Sequence, residues 1–143
     1  METSQRARGE LSLYAYPWDL AADGGAEVVA WAADHGVDRL AVATAYHSAE
    51  MLRPRRSSDV HDHVEANRVH LRLPEMPTGG IGLRFGELAA TEPDLFTGVS
   101  RRTTAAGLGL TAWVVCLHNS AVATAMPEVA TVNCFGDALP HGL

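Results

Sequence analysis

The sequence predicts an α/β fold with a parallel β-α-β-α-β arrangement. Three observations predict it. An apolar segment, an amphipathic segment and a second apolar segment follow one another within roughly 30 residues, the size of a βαβ unit. The later strand candidates are apolar on both faces, as strands of a covered parallel sheet are. Glycines stand just past the helical segments, where a left-handed residue closes a helix.

In chain order, residues 1–10 (METSQRARGE) are polar and without periodicity, and read as a flexible N-terminal tail. Leu11-Ser-Leu-Tyr-Ala-Tyr16 is the first strand, stopped by Pro17. Gly24-Gly25 forms a turn. Ala26, Val29, Ala30 and Ala33, flanked by Trp31, repeat at helical spacing, and His35-Gly36 closes that helix. Val37 to Ala45 is the second strand. The crossover between the two strands should be right-handed.

From about 46 to 92 the chain reads as a long loop, with Arg68 to Leu73 as its one short strand. It is rich in Pro and Gly and carries His61, His63 and His70. Long loops of this kind are usually functional. This one follows the C-terminal end of a parallel strand, the side where α/β folds place ligands. Glu92-Pro93 opens a second helix that Gly107 ends. Leu110 to Leu117 is the third strand, expected to be buried. A weaker helical segment starts near Ala121.

Composition bounds the function. The chain has 143 residues, 47% of them hydrophobic and 20% charged, as in one core-forming domain. All 11 basic residues are Arg, and the net charge is −6. That balance argues against a nucleic-acid partner. No signal-peptide pattern and no apolar run of about 18 residues occur, so no membrane partner is expected and a cytoplasmic location is. Cys116 and Cys134 do not make a disulfide framework and read as two small buried thiols.

Several short motifs occur together. Tyr16-Pro-Trp-Asp19 is followed by Ala45-Tyr-His-Ser48 and Leu52-Arg-Pro-Arg55. Then come Ala112-Trp113, Leu117-His-Asn-Ser120, Pro127 and Asn133-Cys-Phe-Gly-Asp137. In this order they resemble a group of bacterial barrel proteins described as glycoside-hydrolase-like. The resemblance covers nearly the whole chain from Leu11 onward. It departs from the group at Cys134, where Ala is expected. It implies a partial (β/α)8 TIM barrel spanning 11–143, with the family's further βα units lying beyond Leu143.

In such a fold, polar and aromatic residues at the C-terminal strand ends face the site. The candidates for substrate binding are Tyr14, Tyr16 and Trp18 after the first strand. Tyr46, His47, Arg53 and Arg55 follow the second, and Trp113, His118 and Asn119 belong to the third. Aromatic faces stack on sugar C–H surfaces, and His, Asn and Arg bond hydroxyls. Each has a structural alternative. Trp113 in mid-strand suits the core, Asp19 suits a helix cap, and Asn119 suits a local backbone bond. The arginines around Arg53 suit a solvated loop.

Glycoside hydrolysis usually needs two carboxylates. Asp19 and Asp137 are candidates by position alone, and the catalytic acids are otherwise unassigned. The expectation is therefore a carbohydrate-active protein that contributes one wall of a sugar site and is inactive by itself. Two alternatives stand beside it. One is a small α/β binding module complete as a homodimer. The other is a metal-dependent sugar isomerase or hydrolase using His61, His63 and His70, since H-x-H on a strand puts both imidazoles on one face. No cofactor is expected, because phosphate-loop, H-E-x-x-H and G-x-S-x-G motifs are absent.

Overall fold

A computed structural model of the chain describes residues 9–22, 25–53, 60–75, 82–139 and 142. It is a mixed α/β protein whose sheet contains parallel pairs, with five α-helices among the described residues. The chain divides into two compact units. One takes the chain up to Val42 together with Leu95–Ala112, and the other takes Ala43–Asp94 together with the chain from Trp113 onward.

The first unit is built on the predicted βαβ element. Strand β1 (Ser12–Ala15) pairs in parallel with β2 (Arg39–Tyr46) in the register Ser12↔Arg39 to Ala15↔Val42. Asp38 ties the strand starts together. Its carboxylate accepts from the Leu11 N–H at 2.8 Å, and its own N–H donates to the Leu11 carbonyl at 2.8 Å. Glu10 pairs with Arg39, so order begins within the segment read as tail. A short helix α1 (Pro17–Ala22) follows β1, and Pro17 suits its first position.

Helix α2 (Ala26–Asp34) ends as the sequence predicts. Gly36 has φ 71°, its N–H donates to Ala33, and the Val37 N–H donates to Ala32, which is the Schellman arrangement. Gly107, at φ 73°, ends α4 (Leu95–Ala105) through the same pair of bonds, to Thr104 and Thr103. Ala15, Leu20, Val29, Leu40, Val42 and Val99 form the core of this unit, with Leu13, Phe96 and Leu110 packed against it. Thr103 is buried on α4, and its hydroxyl donates to the Val99 carbonyl at 3.0 Å.

Strand β7 (Gly109–Val114) pairs with β2. Gly109 N–H donates to the Asp38 carbonyl and Val115 N–H to that of Ala45, so the two strands run in the same sense. The segment is shorter than the predicted Leu110–Leu117, and the expectation of burial is corrected. Thr111, Ala112 and Val114 are exposed. Among the described residues β7 pairs only with β2, so it is a sheet edge with apolar side chains uncovered.

The second unit replaces most of the predicted long loop with structure. Strands β3 (Ala49–Leu52) and β4 (His61–Val64) form an antiparallel pair, Ala49↔Val64 to Leu52↔His61. The end of β2 pairs antiparallel with β5 (Arg68–Val69), which is shorter than the predicted Arg68–Leu73. Strand β5 pairs in parallel with β6 (Arg84–Phe85), and α3 (Glu87–Thr91) follows. The helix predicted from Glu92 starts at Leu95, after a turn at Pro93-Asp94.

Helix α5 (Ser120–Ala125) and a 3-10 turn (Pro127–Val129) complete the unit. Both cysteines are free and exposed, which corrects the buried reading. The described strands form no closed barrel. No described helix is long and apolar enough to cross a membrane.

Candidate functional site

In the second unit the ends of β2 and β7 bring four sequence-predicted residues together. Tyr46 stacks on His47 with ring centroids 4.1 Å apart, and His47 stacks on His118 at 4.3 Å. Trp113 meets Tyr46 edge to face at 5.4 Å. Neighbouring strands that run in the same sense end on the same side, which is why residues so distant in sequence converge. Thr44 adds a link, its hydroxyl donating to the Trp113 carbonyl at 3.3 Å.

The row has a defined chemistry. His47 Nδ1 lies 2.6 Å from the Ser48 carbonyl oxygen, which can only accept, so Nδ1 carries the proton. In the neutral ring Nε2 then holds the lone pair. Tyr46, His47 and Trp113 are half-buried and His118 is exposed. Ring faces and edges of this kind pack against C–H surfaces, while imidazole nitrogens exchange hydrogen bonds with hydroxyls.

Asn119 is used locally. It is the N-cap of α5, and its Oδ1 accepts from the Val122 N–H at 3.1 Å. Its Nδ2 donates to Asn67 Oδ1. Asn67, at φ 59°, is the one described non-glycine residue with positive φ, and it turns the chain from β4 into β5. Ser48 and Ser120 face each other with hydroxyls 3.4 Å apart.

The remaining candidates are placed as follows. Arg53 is 9% exposed, and its guanidinium donates to Asp62 at 3.0 Å, so it braces the β3–β4 pair from inside. Arg55 lies outside the described residues. In the first unit Tyr16 and Trp18 stack at 4.9 Å with nearly parallel rings, but Trp18 is 8% exposed and belongs to the core. Tyr14 is exposed on β1. Asp19 lies in the first turn of α1. Asp137 belongs to the second unit, where its carboxylate accepts from Asn133 Nδ2 at 3.0 Å. Asn133 Oδ1 in turn accepts from the N–H groups of Phe135 and Asp137, which makes this loop a local turn.

The histidine set does not converge. His61 and His63 both face Glu50, His61 Nε2 at 3.0 Å from one carboxylate oxygen and His63 Nδ1 at 2.7 Å from the other. His70 is buried elsewhere, with its ring against the backbone of Gly86, where an added Cβ would lie 2.7 Å from Nδ1. Burial first, and then the charge of Arg68, hold the His70 imidazole below its ordinary pKa. Among the described residues no group of three or more His, Cys, Asp or Glu is placed to hold a metal ion.

A cleft of about 350 Å³ lies between α5 and the start of β5 and β6. Asn67, Arg68 and Arg84 line one side, and Val122, Ala125 and Met126 the other. A shallower groove shares Ala66, Ala121 and Ala125 with it and carries Ser48, His63, Glu65, Ser120 and Thr124. Sequence reasoning missed Asn67, Arg68 and Arg84. The one available signal was Ala66-Asn67 between two short alternating segments, which marks a turn.

Comparison with known proteins adds no assignment: no family model, no curated protein and no solved structure matches the chain.

Proposed function

We propose that the chain binds a carbohydrate or similar polyhydroxyl molecule at the ends of β2 and β7, as one wall of a glycoside-hydrolase-like (β/α)8 site. The observation that carries this reading is the continuous Trp113–Tyr46–His47–His118 row. It offers stacking surface beside an imidazole nitrogen whose tautomer is set by the Ser48 carbonyl. The barrel part of the reading is supported by β1 and β7 both pairing with β2, in the order of the first three strands of such a barrel. On this reading hydrolysis belongs to the complete barrel, and the chain alone binds without turnover.

Isothermal titration with neutral mono- and disaccharides tests the reading. Saturable binding that weakens in His118→Ala, with no release from aryl glycosides, is the expected result. No binding by any sugar, or binding indifferent to His118, overturns it.

A second reading is favoured by β7. Val114 is 49% exposed and the following Leu117 is 73% exposed, although both are large and apolar. Burying such a side chain is worth about 1.5–3 kcal/mol. On that reading two copies cover one another's β7 edge. Sedimentation over a hundredfold concentration range separates a dimer from a monomer.

A further inference from the structure

We propose that the ligand of this site is an acidic sugar, a disaccharide whose terminal ring carries a carboxylate, with that carboxylate held at Arg84. The inference rests on the polyhydroxyl reading and narrows it.

Its basis is a row of register partners. Tyr46 pairs with Arg68, and Arg68 pairs with Arg84, so the three side chains leave one face of the sheet in line. Strands are spaced about 4.8 Å apart, so Tyr46 and Arg84 are about 10 Å apart at the backbone, close to the length of two sugar rings. The stacking row meets one end of this line at Tyr46, and the cleft beside α5 lies at the other.

Charge along the row is unbalanced. Arg68 and Arg84 are register partners on neighbouring strands, and like charges placed directly opposite are destabilising unless an anion answers them. Glu65 answers one of them, accepting from Arg68 Nε at 2.7 Å and from Arg68 Nη2. Arg84 is exposed at the cleft and has no ion-pair partner among the described residues. The direct bond from Arg68 and then its charge hold the Glu65 carboxyl below its ordinary pKa, with His63 and last Arg84 adding to the effect, so this carboxylate stays charged and engaged with Arg68. A planar, forked guanidinium suits a ligand carboxylate better than a neutral hydroxymethyl group. The opposite wall of Val122, Ala125 and Met126 suits the C–H face of the same ring.

The test compares a matched pair by isothermal titration, cellobiose and the disaccharide of glucuronic acid β-1,4-linked to glucose. They differ by one hydroxymethyl group against one carboxylate. The expected result is at least tenfold tighter binding of the acid at low salt. That advantage disappears in Arg84→Gln. Ala125→Phe, at an exposed position, fills the cleft and removes the same advantage if Arg84→Gln perturbs folding. Equal affinity for the two sugars overturns the acidic-ligand inference and leaves the polyhydroxyl reading intact. An advantage that survives both variants overturns the placement at Arg84. Absence of binding by either sugar overturns both.

Discussion

His47 and His118 stack face to face, with ring centroids 4.3 Å apart and planes inclined by 14°. Nothing in the local sequence joins them. They meet because each follows a strand of one neighbouring pair running in the same sense. That contact turns two strand-end residues into one continuous surface with Tyr46 and Trp113.

Removing one ring of that surface should weaken a stacked ligand modestly. Aromatic contacts contribute about 0.5–1.5 kcal/mol beyond area burial. His118→Ala is therefore expected to cost two- to tenfold in sugar affinity. Its exposed position should leave the melting temperature nearly unchanged, which a paired thermal melt checks.

Gly86→Ala should destabilise the second unit. The added Cβ would lie 2.7 Å from His70 Nδ1 and 3.1 Å from its Cε1. His70 is buried, so its ring has little room to retreat. Overpacking of this kind costs about 1–3 kcal/mol. Urea unfolding of the two proteins measures it, and an unchanged midpoint contradicts the packing described.

The pH dependence of stability should carry the mark of His70. Its pKa is lowered in the folded state, chiefly by burial, so the unfolded chain binds its proton more readily. Its contribution is present above the unfolded value of about 6.5 and is lost as the pH falls below it. Unfolding free energy should thus decline from pH 7.5 toward pH 5. In His70→Gln the decline should be shallower. A variant with an equal or steeper slope contradicts the assignment.

Asn119→Ala should cost about 1–2 kcal/mol, because it removes the cap of α5 and the bond to Asn67 together. Asn119→Ser should recover part of the loss by restoring the cap alone. Equal destabilisation by the two substitutions, read from denaturant midpoints, contradicts the capping role.

What the sequence made legible follows from locality. Gly36 and Gly107 end their helices where predicted, because a left-handed C-terminal residue is a local requirement. The convergence of Tyr46, His47, Trp113 and His118 was legible from the parallel-strand rule alone. The β3–β4 pair was not, since each strand has only four residues, and His61-Asp62-His63 of β4 shows no apolar alternation. Arg53 in a Pro-Arg-rich stretch looked solvated, and only its pairing with Asp62 across those strands shows that it is internal. A strand is legible from Arg68, but its partner β6, which brings Arg84 beside it, has two residues and is too short for any periodic signal. The burial expected of β7 failed for another reason. An apolar strand shows what it can bury, not which described neighbour covers it.

The most direct test of the proposed site is to follow the histidine side-chain resonances by nitrogen-correlated NMR during titration with the glucuronic-acid disaccharide. His35 is the internal reference, because it stacks on Trp31 in the first unit and its Nδ1 bonds the Trp31 carbonyl. Saturable shifts at His47 and His118 with a common dissociation constant, while His35 stays still, are the expected result. Unmoved His47 and His118 signals, or shifts of the same size at His35, would contradict the proposed site.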